Sequence, residues 1–70
     1  MDKKIGFIGC GNMGKAILGG LIASGQVLSG QIWVYTPSPD KVAALRDQYG
    51  INAAESAQEV AQVADIVFGA

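Results

Sequence analysis

IGFIGCGNMG, residues 5–14, joins an apolar run to three glycines spaced G-x-G-x-x-G. The residues leading into it, Lys3 to Ile8 (KKIGFI), form a short apolar run that ends at glycine, which fits a buried parallel strand. The residues that follow, Asn12 to Ser24, carry apolar side chains at positions 13, 16, 17, 18, 21 and 22. That spacing predicts a helix with a wide apolar face, and Gly25 predicts its stop. Gly19 and Gly20 lie inside this helix, where each costs about 1 kcal/mol against alanine, a cost that a close packing contact would explain.

Working outward, Gln26 to Gln31 reads as a loop with Ser29-Gly30 as its turn. Ile32-Trp33-Val34-Tyr35 reads as a second strand, β-branched and aromatic. Thr36-Pro37-Ser38-Pro39 breaks that strand. Ser38 is a favourable helix N-cap, with Pro39 at the first helical position and Asp40 in the first turn. Val42, Ala43, Leu45, Arg46 and Tyr49 continue a second helix, which Gly50 ends. Ser56-Ala57-Gln58-Glu59 matches a capping box and opens a third helix to about Val63. Asp65-Ile66-Val67-Phe68 begins a third strand.

The order is β-α-β-α-β, and helical crossovers imply parallel strands with right-handed connections. The fold class is therefore α/β: half of a doubly wound, Rossmann-type parallel sheet. The chain stops at Ala70, inside or just after the third strand, so residues 1–70 read as the N-terminal part of a nucleotide-binding domain in a longer protein. On that reading the first strand lacks a neighbour on one side. An exposed apolar edge invites pairing with another chain, so the isolated fragment is expected to self-associate and to be catalytically inactive.

Composition narrows the partners. Half of the 70 residues are apolar, which excludes disorder. A chain this short buries only about 60% of its unfolded surface and expects further cover. Net charge is −1 and Lys3-Lys4 is the only adjacent basic pair, so nucleic acid is not an expected partner. There is no histidine, which removes the commonest general base and metal ligand; no metal site is expected. A single cysteine forms no internal disulfide and fits a reducing cytoplasm. Lys3-Lys4 precedes apolar sequence as a secretory signal would. However, Asn12, Lys15 and six glycines by Gly20 interrupt it well short of the roughly 20 apolar residues of a spanning helix. No membrane partner is expected.

In its strand–helix setting the glycine loop is expected to hold a dinucleotide. Gly9 permits the tight turn, Gly11 lets a pyrophosphate approach the backbone, and Gly14 lets the helix pack on the sheet. The amides near Asn12 and Met13 open the helix, where its dipole favours an anion. The alternative is a tight turn without a ligand. Cys10, a thiol near a helix N-terminus, can be a nucleophile or a small side chain filling the loop; without a base in view the second reading is preferred. Met13 reads as packing, and Lys15 as a solvated first-turn charge.

The end of the second strand bears on the choice of cofactor. A site that prefers NAD carries Asp or Glu there, bonding the ribose 2′-hydroxyl. Tyr35-Thr36-Pro37-Ser38 has no acid. Thr36 and Ser38 offer hydroxyls, and the start of the second helix with Lys41 can hold a dianion. NADP(H) is therefore favoured over NAD. Ser38 as a plain cap and Lys41 as a solvated charge are the competing readings, and Asp40 brings an opposing negative charge.

Lys3 to Leu21 (KKIGFIGCGNMGKAILGGL), Val34 to Leu45 (VYTPSPDKVAAL) and Ala64 to Phe68 (ADIVF) together resemble the start of the bacterial pyrroline-5-carboxylate reductase family, and the resemblance covers nearly the whole chain. It implies reduction of the C=N bond of 1-pyrroline-5-carboxylate to L-proline by hydride transfer from NADPH, or less readily NADH. It also implies a helical C-terminal domain that makes a dimer, larger homo-oligomers, and a substrate site where the two domains meet. Carried over, Ile8, Gly9, Cys10, Gly11, Asn12, Met13 and Gly14 form the pyrophosphate loop, Thr36 and Ser38 hold the 2′-phosphate, and Ser56 or Ala57 lies near the adenine. Gly69 departs from the larger apolar residue expected in that strand. The family's nicotinamide-side segment and helical domain lie beyond Ala70, so no residue here is assigned a catalytic role.

Two other readings remain open. β-Hydroxyacid dehydrogenases open with a similar loop. They typically carry a Pro-Met pair soon after it and an Arg after the second strand, where this chain has Lys15-Ala16-Ile17 and Thr36-Pro37. A nucleotide-binding or merely structural module without turnover is the third.

Overall fold

The protein is described by a computed structural model covering residues 2–9 and 11–69; the side chains of Asn12 and Met13 lie outside that description. Four parallel strands, β1 (Ile5–Ile8), β2 (Ile32–Tyr35), β3 (Asn52–Ala53) and β4 (Ile66–Gly69), form one sheet in the order β3-β2-β1-β4. Three helices alternate with them: α1 (Asn12–Ala23), α2 (Pro39–Tyr49) and α3 (Ala57–Val63). The α/β parallel architecture read from the sequence is therefore present, and α2 and α3 have the expected bounds.

Register decides which residues share a face. Ile5 pairs with Ile32 and Ile66, and Phe7 with Val34 and Phe68. Alternation puts all of these on one side of the sheet. There Ile5, Phe7, Ile32 and Val34 meet Leu18 of α1, Leu45 of α2, Val27 and Ile51 in a buried cluster. Full burial of such a side chain contributes about 1.5–3 kcal/mol. Five of the six largest fully buried side chains lie in this cluster, so this face carries most of the hydrophobic stabilisation. The rings of Phe7 and Phe68 stack with centroids 5.2 Å apart.

On the opposite face α3 lies close against β1 and β2. Gly6 makes this approach possible, because a Cβ there would overlap Val60 Cγ1 and stand 2.9 Å from Ala64 Cβ. The start of α3 is built by Ser56, whose Oγ accepts the Glu59 N–H at 3.0 Å. The expected reciprocal bond is shifted by one residue, since the Glu59 carboxylate accepts from the Glu55 amide at 2.8 Å rather than from Ser56.

The structure adds a strand. β3 pairs Asn52 with Trp33 and Ala53 with Val34. Two residues, one of them asparagine, make no apolar run and give no periodic signal. The Asn52 side-chain amide donates to the Gly30 and Ile32 carbonyls at 2.9 and 3.3 Å, which helps seat β3 beside β2. The expected turn at Ser29-Gly30 is a single 3-10 turn, Ser29–Gln31. It closes when the Gln31 amide donates to the Leu28 carbonyl at 2.9 Å and Gln31 Oε1 accepts from the Leu28 amide at 2.8 Å.

The expectation that β1 lacks a neighbour is corrected. β1 is internal, flanked by β2 and β4. Lys4 N–H donates to Asp65 Oδ2 at 2.9 Å, and the Asp65 amide donates to the Lys4 carbonyl at 2.7 Å, bringing β4 alongside. The open apolar edge belongs instead to β4, where Ile66, Val67 and Phe68 stay about two-fifths exposed. No helix among the described residues is long and apolar enough to cross a membrane.

The two glycines inside α1 have different surroundings. A Cβ at Gly19 would stand 3.3 Å from the Tyr49 hydroxyl, so this glycine serves the contact between α1 and α2. A Cβ at Gly20 would meet nothing within 4 Å. Gly20→Ala should therefore stabilise the chain by about 0.5–1 kcal/mol through helix propensity alone, and Gly19→Ala should gain less. Urea unfolding of the two variants checks the order.

Candidate functional site

The carboxyl ends of three strands coincide: Ile8 of β1 is in register with Tyr35 of β2 and Gly69 of β4. In open α/β sheets this is the edge where ligands bind, because loops and helix N-termini converge there. Here it gathers the glycine loop, the start of α1 and the Thr36–Ser38 turn.

Half-buried Ile8 ends β1. The next residue, Gly9, takes φ +72°, a left-handed backbone that a Cβ disfavours by about 1–2 kcal/mol. Its N–H still reaches the Tyr35 carbonyl at 2.8 Å, so the chain turns away while bonded to the end of β2. Cys10 lies outside the described residues, so neither of its readings is tested.

Gly11 is the N-cap of α1, and its carbonyl accepts the Lys15 N–H at 2.9 Å. Two common reasons for a glycine are missing at this position. Its backbone is extended (φ −87°, ψ −161°), which any residue adopts, and a Cβ would meet nothing within 4 Å among the described residues beyond its neighbours. Asn12, Met13 and half-buried Gly14 form the first turn, whose amides have no partner inside the helix. No acidic side chain lies in that turn. The arrangement is an open approach to a helix N-terminus with no negative charge on it, and it fits a phosphate group.

At the end of β2, Thr36 is buried, with 9% of its surface exposed. Its Oγ1 accepts the Ser38 N–H at 3.0 Å. Ser38 is the N-cap of α2, but its side chain makes no cap bond, contrary to the capping reading. Its carbonyl takes the Lys41 and Val42 amides at 3.0 and 3.4 Å. Lys41 is exposed, and Asp40 sits in the first turn. Ser56 is exposed and spends its oxygen on capping α3, while Ala57 is half-buried as the first residue of that helix.

Thus the glycine loop and the Thr36–Ser38 turn share one edge, as the sequence implied. Reading the sequence overlooked Gly6, although a glycine inside a strand is itself a signal of close backbone approach.

Over its whole length the chain is 90% identical to the N-terminal region of the pyrroline-5-carboxylate reductase of Escherichia coli (strain K12), and equally to that of Shigella flexneri, spanning 26% of each. The reductase of Treponema pallidum (strain Nichols) is 33% identical over 64 residues, 91% of this chain and 24% of that protein. The solved structure of a pyrroline-5-carboxylate reductase from Coxiella burnetii matches with a TM-score of 0.90 at 34% identity, covering all of this chain and 26% of that one. The chain therefore spans about a quarter of the length of the relatives it matches. Residues 4–70 match the family model described as NADP oxidoreductase, coenzyme F420-dependent. The chain belongs to this family of pyridine-nucleotide-dependent oxidoreductases.

Proposed function

We propose that these residues are the N-terminal, NADP(H)-binding part of a reductase that converts 1-pyrroline-5-carboxylate to L-proline in proline biosynthesis. A helical domain beyond them would build the dimer and complete the substrate site. The supports are the 90% identity to reductases of that name and the geometry of the loop. The single observation that carries the cofactor site is Gly11, a glycine that neither its backbone conformation nor packing against the described residues beyond its neighbours requires. Absence of a side chain there serves something that approaches from outside.

When bound, NADPH supplies the hydride, and the protein's task is to position it. Gly9 turns the chain, Gly11 leaves the approach open, and the first-turn amides of α1 at Asn12, Met13 and Gly14 face the pyrophosphate. Ile8 and Cys10 belong to the same proposed pyrophosphate loop. Thr36 and Ser38 serve the 2′-phosphate of NADPH, because no carboxylate at the end of β2 repels it. NADH, with a plain 2′-hydroxyl, is the less favoured cofactor. The reading further places the reductase in the cytoplasm as a homo-oligomer acting on a small molecule.

Titrating NADPH and NADH into the full-length reductase tests the cofactor assignment. NADPH should bind at least about tenfold tighter, as expected for one or two hydrogen bonds to a charged group. Equal affinities, or tighter NADH, would remove the 2′-phosphate site. Formation of proline from pyrroline-5-carboxylate, with no turnover of 3-hydroxy acids, separates this activity from the β-hydroxyacid dehydrogenase alternative.

A further inference from the structure

We infer that Asp65 is a positioning residue for the hydride-transfer step: its carboxylate locks the register of β4 and so sets where the carboxyl end of that strand meets the site. The inference rests on the proposed dinucleotide site. It goes beyond it to a residue at the opposite edge of the sheet, to which neither sequence nor resemblance gives a role. In β2 the register follows from burial, because Ile32 and Val34 are buried and alternate with half-buried residues. A slip of one residue would turn both out of the core. β4 lacks that constraint. Ile66 and Phe68 on one face are 40% and 39% exposed, and Val67 on the other is 43% exposed. All three are apolar, so a slip would exchange the faces with little change in burial.

Two contacts choose the register instead. Phe68 stacks on Phe7 in mid-strand. At the start of the strand Asp65 Oδ2 accepts the Lys4 N–H at 2.9 Å, while the Lys4 carbonyl takes the Asp65 and Ile66 amides at 2.7 and 3.2 Å. Both backbone groups of Lys4 are thus held by one dipeptide, and a shift by one residue breaks all three bonds. A bond to a carboxylate is also stronger than one between neutral groups. The other strands are tied at the same amino edge: Gln31 Nε2 donates to the Lys3 carbonyl at 3.0 Å, and Asn52 donates to the Gly30 and Ile32 carbonyls. At the far end of β4, Gly69 is in register with Ile8, beside the Gly9 turn. A one-residue slip moves that end by about 3.3 Å. The Thr36–Ser38 turn lies on the β2 side of the glycine loop, so a dinucleotide with its adenosine there runs the other way, over the end of β4, with its nicotinamide. Misplacing a reacting group by about 1 Å can cost about a hundredfold in rate. The register of β4 therefore bears on hydride transfer, while the adenosine half rests on β1, β2 and α1.

The full-length reductase tests this with two readouts. One is kcat for pyrroline-5-carboxylate at saturating NADPH; the other is affinity for 2′-phospho-ADP-ribose, which has no nicotinamide. Asp65→Ala and the near-isosteric Asp65→Leu, both without an acceptor, should lower kcat about tenfold or more and leave that affinity within about twofold. Asp65→Asn keeps an oxygen in place and should stay within about threefold of the parent in kcat. Hydrogen exchange at the Ile66, Val67 and Phe68 amides should quicken about tenfold in the Ala and Leu variants and stay unchanged in β2. An unchanged kcat in both variants, or unchanged exchange in β4, would overturn the inference. Parallel losses of kcat and affinity, the mark of general damage to the fold, would overturn it too, as would an Asn variant impaired as much as the Ala one. Failure of the underlying reading looks different: the unsubstituted reductase itself would not bind 2′-phospho-ADP-ribose.

Discussion

Gly6→Ala is expected to destabilise this chain by about 2 kcal/mol, near the middle of the range for forcing an extra carbon into a packed interior. The new Cβ would collide with Val60 Cγ1 and come within 2.9 Å of Ala64 Cβ. Val60 is fully buried, so its side chain has no open space to move into. Relief would require α3 to lift from β1, exposing Val60 and weakening its seat on the sheet. In a domain of this size a change of about 2 kcal/mol lowers the melting temperature by roughly 8–16 °C. Val60→Ala added to Gly6→Ala should recover part of the loss by removing the nearer obstacle, and the Ala64 contact would remain. Thermal unfolding of the single and double variants decides the matter. A melting point for Gly6→Ala within a degree of the parent would show that α3 shifts freely and that its close approach contributes nothing.

Gly11→Val should do the reverse, weakening cofactor binding while leaving the fold nearly intact. The position is exposed, its backbone is extended, and a Cβ meets nothing among the described residues beyond its neighbours. Valine is a poorer N-cap than glycine, so a loss of up to about 1 kcal/mol in stability is expected. Binding should fall by about a hundredfold, because the branched side chain occupies the approach to the first-turn amides of α1 and holds a phosphate away from them. Titration of NADPH into the full-length variant, beside its urea unfolding curve, checks both halves. Undiminished binding would mean that the approach at Gly11 is not used, and the proposed pyrophosphate site would fall with it. The pair separates two reasons for a glycine: at Gly6 the neighbour is the protein's own helix, and at Gly11 it would be the cofactor of the proposed site.

The β4 edge bears on how the chain behaves alone. Ile66, Val67 and Phe68 form a strand without charge or proline, and its outer backbone has no partner strand among the described residues. Such an edge pairs readily with other chains. Self-association of the isolated 70 residues is therefore expected at β4 rather than at β1. A monomer in sedimentation, concentrated well above the micromolar range, would contradict this.

Much of the local geometry at the candidate site was legible from sequence because its parts are local. The turn at Gly9, the start of α1, the acid-free end of β2 and the stops at Gly25 and Gly50 each depend on a few consecutive residues. All three of Gly9, Gly25 and Gly50 adopt a positive φ. β3 escaped because two residues carry no period. The role of Gly6 escaped because Val60, which meets it, lies far along the chain.

The sequence by itself determined the succession of strands and helices apart from β3, the glycine turn after β1 and the lack of a carboxylate at the end of β2. These follow from backbone preference and side-chain chemistry over short spans. Only the tertiary structure decided that β1 is internal, that β4 carries the open edge, that Gly6 answers to α3, and that Thr36 is buried with its oxygen accepting the Ser38 amide. The first three rest on contacts between distant residues, such as the bond from the Lys4 amide to Asp65 across 61 positions. The last rests on burial, which Thr36 acquires only when the sheet and helices close around it. Composition and spacing do not encode such contacts; they appear only when the whole chain is packed.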